Sequence, residues 1–431
     1  MIAKRTWREV QDGELMRGDQ ILPTALIFTR KRPCDEFPQG RFKARLVALG
    51  NVERWAPGTE PSTYAPVCSY AANRYLTIRA ASKRWFLRQL DITLAFVNAE
   101  LTGLDKSIFV RLPKEWAGPS AEKGATVKLL RALYGLRLSP LLWYRTYRDW
   151  LVSQGWYESE KEPGLFQLTI PRSDGEPPDE LWLTVYVDDS LIAGSRDELV
   201  KEWVDRILEK FPGRELPAAR EEREVDGERR LVDKRDILGA DLYYCQESGW
   251  TCWSMESAIQ RALKSHDMQD ERGSSRITTP CEVHADLTQG ALQPTYPIRQ
   301  VVGSLLYIAT VGRPDALFAA TKLARHSVNC TKSVVTAAKR LLKYLRNTAS
   351  EGLVYSPERH KLFNKKYEGL LIAANRDIED TVNDVITWSD ADHAGDCVTL
   401  RSTSGTVITY LGTPFAWKCT RQKLRAHDTC Q

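Results

Sequence analysis

The stretch that most constrains the fold is ELWLTVYVDDSLIAGS, residues 180–195. Its two apolar runs, Leu181 to Val187 and Ser190 to Ala193, are almost uninterrupted, which suits strands buried on both faces rather than strands with one wet side. Asp188 and Asp189 fall at the bend between them. An Asp-Asp pair in a turn is ordinary, because Asp bonds its own backbone there. Adjacent carboxylates beside a buried sheet are less ordinary, since they repel unless a cation neutralises them. The expectation is a divalent ion at the hairpin tip, and an all-oxygen ligand set favours Mg²⁺ or Mn²⁺.

A second carboxylate lies upstream. KRWFLRQLDITLAF (83–96) alternates around Trp85, Leu87, Gln89 and Asp91, so it predicts a strand ending at Asp91 and a helix starting near Ala95. At that place a carboxylate is a helix cap or a metal ligand, and taken alone the cap is favoured. Residues 70–82 have helical spacing, with Tyr75, Ile78 and Ser82 on one side and Arg74 and Arg79 elsewhere. Residues 20–50 hold two β-prone runs around KRPCDEFPQG, a hairpin turn by its Pro and Gly content. Arg30, Lys31, Arg32, Arg41, Lys43 and Arg45 crowd that region. They suit phosphates, although taken alone a solvated edge strand guarded against aggregation is the favoured reading.

The tract at 214–236 mixes basic and acidic residues with few apolar ones and reads as a solvated insertion or mobile loop near a domain boundary. Residues 316–350 carry no acidic residue and read as two amphipathic helices, with Lys339, Lys343 and Arg346 on a face opposite Leu341 and Leu345. That face fits a nucleic-acid backbone or plain solvent. The final 45 residues return to strand character, with Asp390, Asp392 and Asp396 as another acidic cluster.

Composition narrows the class. With 431 residues, 42% of them hydrophobic, the chain can bury two or three cores. No apolar run approaches the roughly 20 residues of a membrane span, and the N-terminus has no secretory signal. Nine scattered cysteines read as reduced thiols of a cytosolic or nuclear protein; Cys281 and His284 are at most half of a metal site. The net charge of +5 permits a polyanionic partner without requiring one.

With Asp91 ahead of the Asp-Asp hairpin, the chain resembles the Ty1/copia class of retrotransposon reverse transcriptase. KARLVALG (43–50), STYAPV (62–67), QLDITLAFVNAEL (89–101), RALYGLRLSPLLWY (131–144), VYVDDSLIAG (185–194), VGSLLYIATVGRPD (302–315), AAKRLLKYLRNT (337–348) and WSDADHAGD with RSTSG (388–405) recur in family order. A lone Tyr-X-Asp-Asp is weak; eight colinear blocks are not.

The resemblance implies an α+β right-hand polymerase, with fingers and palm over 1–250, a thumb and connection region over 251–350, and the opening of a ribonuclease H-like segment over 386–431. It implies two Mg²⁺ (or Mn²⁺) ions held by Asp91, the Ile92 carbonyl and Asp188, with Asp189 as the third palm carboxylate. Lys43 and Arg45 correspond to fingers residues on the incoming triphosphate. Phe96 corresponds to the steric gate against a ribose 2′-hydroxyl, although without the family it reads as a core aromatic. Tyr134 and Gly135 fall where backbone approaches the nascent base pair, and Tyr186 falls near the primer terminus. The implied partners are a primed RNA or DNA template, dNTPs and other segments of a Pol polyprotein, in a cytoplasmic virus-like particle or the nucleus. Asp390 corresponds to the first ribonuclease H carboxylate; the others of the family lie beyond Gln431, so no ribonuclease H activity and poor order over 386–431 are expected. Leu138 and Leu141 stand where the family usually has Gln and Arg. The competing expectations are an inactive remnant that still binds nucleic acid, and a metal-dependent nuclease or phosphatase built on the acidic clusters alone.

Overall fold

The computed structural model describes residues 5–30, 39–269, 277–373 and 385–425, except 56–57, 59, 61, 103, 105, 117–121, 123, 174, 283–284, 393 and 397–398. In chain order its elements are β1 (Trp7–Glu9), β2 (Ile21–Arg30), β3 (Phe42–Ala48), α1 (Tyr70–Ser82), β4 (Phe86–Ile92), β5 (Phe109–Arg111), β6 (Thr126–Leu129), α2 (Ser139–Ser153), β7 (Tyr157–Glu158), β8 (Leu165–Ile170), β9 (Asp179–Tyr186), β10 (Asp189–Gly194), α3 (Asp197–Lys210), β11 (Gly213–Leu216), β12 (Ala219–Val225), β13 (Glu228–Ile237), β14 (Ala240–Cys245), β15 (Trp250–Ser254), α4 (Glu256–Ser265), α5 (Ile298–Val311), α6 (Pro314–Ala324), α7 (Lys332–Asn347), β16 (Gly352–Tyr355), α8 (Pro357–Ala373), β17 (Val385–Ala391), β18 (Thr403–Tyr410) and β19 (Thr413–Arg421). The described residues thus form a mixed α/β chain with four sheets and eight α-helices. Two compact units divide it, Met1–Ser69 with Leu87–Leu216, and Tyr70–Phe86 with Pro217–Gln431.

The first unit has two sheets, ordered β1-β6-β5-β2-β3 and β11-β4-β10-β9-β8-β7. Along β3 the side chains alternate, so Leu46 and Ala48 enter a core with Trp7, Leu22, Val110, Val127 and Leu133, while Lys43 and Arg45 take the other face. β2 and β3 pair antiparallel as expected, and the turn residues 31–38 lie outside the described set. In the second sheet β10 is buried along nearly its whole length, as its unbroken apolar run requires. The bend falls one residue earlier than the sequence suggests. Tyr186 pairs with Asp189, so Val187 and Asp188 form the two-residue turn and Asp189 opens β10. Residues Ala95–Asn98 make a single 3-10 turn instead of the expected longer helix.

The second unit carries the sheets β12-β13-β14-β15-β16 and β17-β18-β19. The charged tract at 214–236 is not an irregular loop. It runs through β11 and then forms the antiparallel β12–β13 ribbon, where Arg223 and Lys234 flank Glu221 and both lie over the Tyr243 ring. Of these, the Lys234–Glu221 pair crosses between the strands and stabilises the ribbon, whose Val225 and Val232 also pack into a core with Tyr243. The helices foreseen over 316–350 are α6 and α7.

Helix α1 departs from its expected amphipathic form. It is buried nearly all round, Arg74 included. Arg74 donates from Nε to the Phe415 carbonyl at 2.7 Å and from Nη1 to the Val311 carbonyl at 2.5 Å, and its guanidinium lies 3.9 Å from the centre of the Trp417 ring. Burial lowers its guanidinium to about 9, still cationic at neutral pH. Trp417 in turn donates Nε1–H to the Ala309 carbonyl at 3.0 Å. The segment expected to be poorly ordered is therefore a three-stranded sheet whose last strand lies on α1, because a helix over 300 residues upstream covers its apolar side. The six described cysteines are all free thiols, and no helix among the described residues is long and apolar enough to cross a membrane. His284, paired with Cys281 in the sequence reading, lies outside the described residues.

Trp417→Ala removes both the cation-π contact and the link to α5. It is expected to lower stability by about 3 kcal/mol and to open residues 403–421 to trypsin in the full chain. Thermal unfolding and mapped proteolysis would measure it, and undiminished protection of that segment would contradict the packing account.

Candidate active site

The two carboxylates meet because β4 and β10 are neighbours in one sheet. Asp91 is the penultimate residue of β4. Asp188 sits in the tight turn before β10, and its backbone carbonyl accepts from the Ile92 amide at 2.9 Å. That bond sets the backbone beside one carboxylate against the backbone of the other. Burial raises Asp188 above the ordinary carboxylate range; the Asp91 charge raises it further, while Lys43 and Arg45 pull it down. Four of the residues singled out from sequence thus share one field, two anions faced by two cations.

Tyr134 belongs to the same group. Burial raises its hydroxyl, with Asp188 and Asp91 adding to the rise and Arg45 opposing it. Its ring meets the Phe96 ring edge-on at 4.8 Å and 62°. Phe96 is half-buried, so it is not enclosed as a core aromatic would be. The Tyr134 carbonyl accepts from the Ala48 amide at 2.8 Å, docking the end of β3. Gly135 next to it has φ +90, and a Cβ there would stand 2.0 Å from the Ala48 oxygen. Only glycine fits that approach. Tyr186 is half-buried and pairs with Asp189 across the hairpin. Asp390 belongs to the other unit, exposed on β17, where its Oδ1 accepts from the Ala391 amide at 2.8 Å.

Sequence reasoning missed three features. Arg214 on β11 pairs in register with Asp91, and its Nε lies 3.5 Å from Asp91 Oδ2. Gly213 lets β11 come so close that a Cβ would be 2.4 Å from the Asp91 oxygen. Trp143 on α2 donates Nε1–H to the Val187 carbonyl at 2.6 Å. No local signal marks Arg214, which reaches Asp91 only through a strand pairing across more than a hundred residues. Leu138 and Leu141 are both buried.

Among the described residues no three His, Cys, Asp or Glu side chains gather as a ready-made metal cage. The donor set still fits a hard divalent cation. Two carboxylates that repel each other in a half-buried site are what Mg²⁺ uses, since it takes one or two carboxylates and completes its shell with water and substrate phosphates.

Residues 4–222, which contain every element of the site, match the reverse transcriptase (RNA-dependent DNA polymerase) family. The chain belongs to that family. A retrovirus-related Pol polyprotein from transposon RE1 of Arabidopsis thaliana is 29% identical over 402 residues, covering 92% of this chain and 24% of that polyprotein. The corresponding polyprotein from transposon TNT 1-94 of Nicotiana tabacum is 26% identical over 429 residues, 97% of this chain and 28% of its own length. A Ty1-ER2 Gag-Pol polyprotein of Saccharomyces cerevisiae is 20% identical over 369 residues, 82% of this chain and 19% of its own length. The resemblance to Ty1/copia-type Pol polyproteins therefore runs along most of this reverse transcriptase chain, which spans about a quarter of the length of the two plant relatives.

Two tests follow from the geometry. Gly135→Ala is expected to cost more than about 2 kcal/mol, read as a lowered midpoint in urea, because the left-handed backbone and the Ala48 contact are both violated. The second concerns charge. The folded chain protonates Asp188 more readily than the unfolded chain does, so the stability this gives is complete below about pH 4 and is lost as pH rises through the folded value. Asp188→Asn mimics the protonated form at every pH. In chelator, its melting temperature should gain on the wild type between pH 4 and 7, and Mg²⁺ should then stabilise the wild type alone. A difference independent of pH would remove the electrostatic explanation.

Proposed function

We propose that the chain is an RNA-directed DNA polymerase of a Ty1/copia-type element, joining dNTPs to a primer 3′-hydroxyl on an RNA or DNA template. One observation carries the reading: in a reverse transcriptase chain, Asp91 near the end of β4 and Asp188 in the turn that opens the neighbouring β10 stand in each other's field, together with Lys43 and Arg45. In this reading residues 1–250 serve as fingers and palm, 251–350 as thumb and connection, and 386–431 as a ribonuclease H-like segment that begins with Asp390. Other segments of a Pol polyprotein are its natural partners.

Asp91, the Ile92 carbonyl and Asp188 would hold two Mg²⁺ or Mn²⁺ ions, with Asp189 as the third palm carboxylate. Held there, such ions would supply acidification of the primer hydroxyl and neutralisation of charge on the phosphates. The chain's own residues supply the rest. Arg45 presents a planar fork and Lys43 a point charge to the triphosphate, holding the α-phosphorus in line with the primer oxygen. A new bond forms from that oxygen to the α-phosphorus as the bond to the bridging oxygen breaks; the hydroxyl proton passes to water and pyrophosphate leaves. Phe96, backed edge-on by Tyr134, excludes a ribose 2′-hydroxyl. The backbone at Gly135 lies bare of side chain beside the nascent base pair, and Tyr186 packs near the primer end.

Primer extension on poly(rA)·oligo(dT) with dTTP and Mg²⁺ tests this. The wild type should extend the primer, and Asp188→Asn should reduce the rate at least a hundredfold, about 2.7 kcal/mol of barrier. Phe96→Val should admit UTP. No extension by a folded wild type that still binds the duplex would instead favour the inactive remnant, for which the buried Leu138 and Leu141 are the candidate cause.

A further inference from the structure

Helix α2 makes a contact with the Asp hairpin to which neither the family match nor the proposed chemistry gives a role. Trp143 is 1% exposed, and its Nε1–H reaches the Val187 carbonyl at 2.6 Å. Val187 has φ +58. A β-branched side chain is rarely found in that left-handed region; the two-residue hairpin demands it there, so the strain is built into the turn that leads into Asp188 and the contacts around the turn must hold it. The next carbonyl, that of Asp188, is held by the Ile92 amide. Two consecutive carbonyls are thus tied, one to an indole on α2 and one to the strand that carries Asp91.

The indole is itself held firmly. It stacks on Tyr147 at 5.2 Å and 16°, and Phe211 meets it edge-on at 5.2 Å and 89°. The Tyr147 hydroxyl lies 3.3 Å from Ser190 Oγ on β10, so the same aromatic group touches the hairpin at a second point. Trp156 and Trp203 offer a contrast in the same unit. They pack edge-on at 5.2 Å, and neither Nε1 has a hydrogen-bond partner among the described residues.

We infer that Trp143 is a positioning residue: its indole N–H ties down the Val187 carbonyl of this strained turn and so fixes where the Asp188 carboxylate stands relative to Asp91. It touches neither nucleotide nor metal. The inference deepens the polymerase reading, and its effect on catalysis rests on that reading; its effect on the hairpin does not.

The test compares Trp143→Phe with Trp203→Phe in the full chain. Both replace a buried indole with a smaller ring, and only the first deletes a hydrogen bond. Three quantities are measured: the amide resonances of Asp188 and Asp189 in ¹⁵N-Asp-labelled protein, Mn²⁺ affinity without nucleotide from the paramagnetic resonance of free Mn²⁺, and kcat and KM for dTTP. Trp143→Phe should shift both resonances, weaken Mn²⁺ binding at least fivefold, and lower kcat at least tenfold with KM within twofold. Trp203→Phe should lower the melting temperature and change none of these. Unshifted resonances with wild-type Mn²⁺ affinity in Trp143→Phe would overturn the inference, as would an equal loss of affinity in Trp203→Phe. A wild type that neither binds Mn²⁺ nor extends a primer would overturn the polymerase reading, and the resonances alone would then decide the role of Trp143.

Discussion

Two carboxylates of like charge stand side by side, one near the end of β4 and one in the turn that opens the neighbouring strand β10, and the architecture of the first unit holds them there. Water would separate or screen them at little cost, but here Asp188 is partly withdrawn from solvent and feels Asp91 directly. The arrangement persists because the backbone, not the side chains, bears the strain. The Ile92 amide binds the Asp188 carbonyl, the Trp143 indole binds the Val187 carbonyl, and the buried strands β9 and β10 leave the turn only two residues in which to bend.

Compensating charge comes from elsewhere in the unit. β3 alternates core and solvent-side residues, so the packing of Leu46 and Ala48 is what points Lys43 and Arg45 the other way. Its end is docked by Tyr134 and by a glycine whose backbone no other residue could adopt at that distance. Arg214 arrives on β11, again through close backbone approach at a glycine. Each cation is thus placed by the packing of its strand, and the field at Asp188 is a by-product of ordinary sheet and core formation.

Much of this was legible in the residues. The unbroken apolar runs gave the hairpin, the alternation through Leu87 and Gln89 put Asp91 at a strand end, and the helices at 316–350 followed from their periodicity. Where local reading failed, long-range contacts had overridden it. The charged tract became a ribbon because opposite charges pair across strands, which no window along one strand reveals. Arg74 was placed away from the buried side of α1 because a cation usually is, yet it is buried against carbonyls and an indole contributed by residues 311, 415 and 417.

By itself the sequence singled out the paired aspartates through residue type and spacing, while its colinear motifs, which assign the chain to the reverse transcriptases, singled out the basic pair on β3 and the ring at Phe96 only through resemblance. Tertiary structure alone decided how they are held, because a hydrogen bond from Trp143 to Val187, an ion pair from Arg214 to Asp91 and a cover for β19 each join residues distant in the chain. Periodicity reports which face of an element is buried. It does not report what lies against that face, and at this site what lies against it ties the backbone around Asp188 and raises its carboxyl.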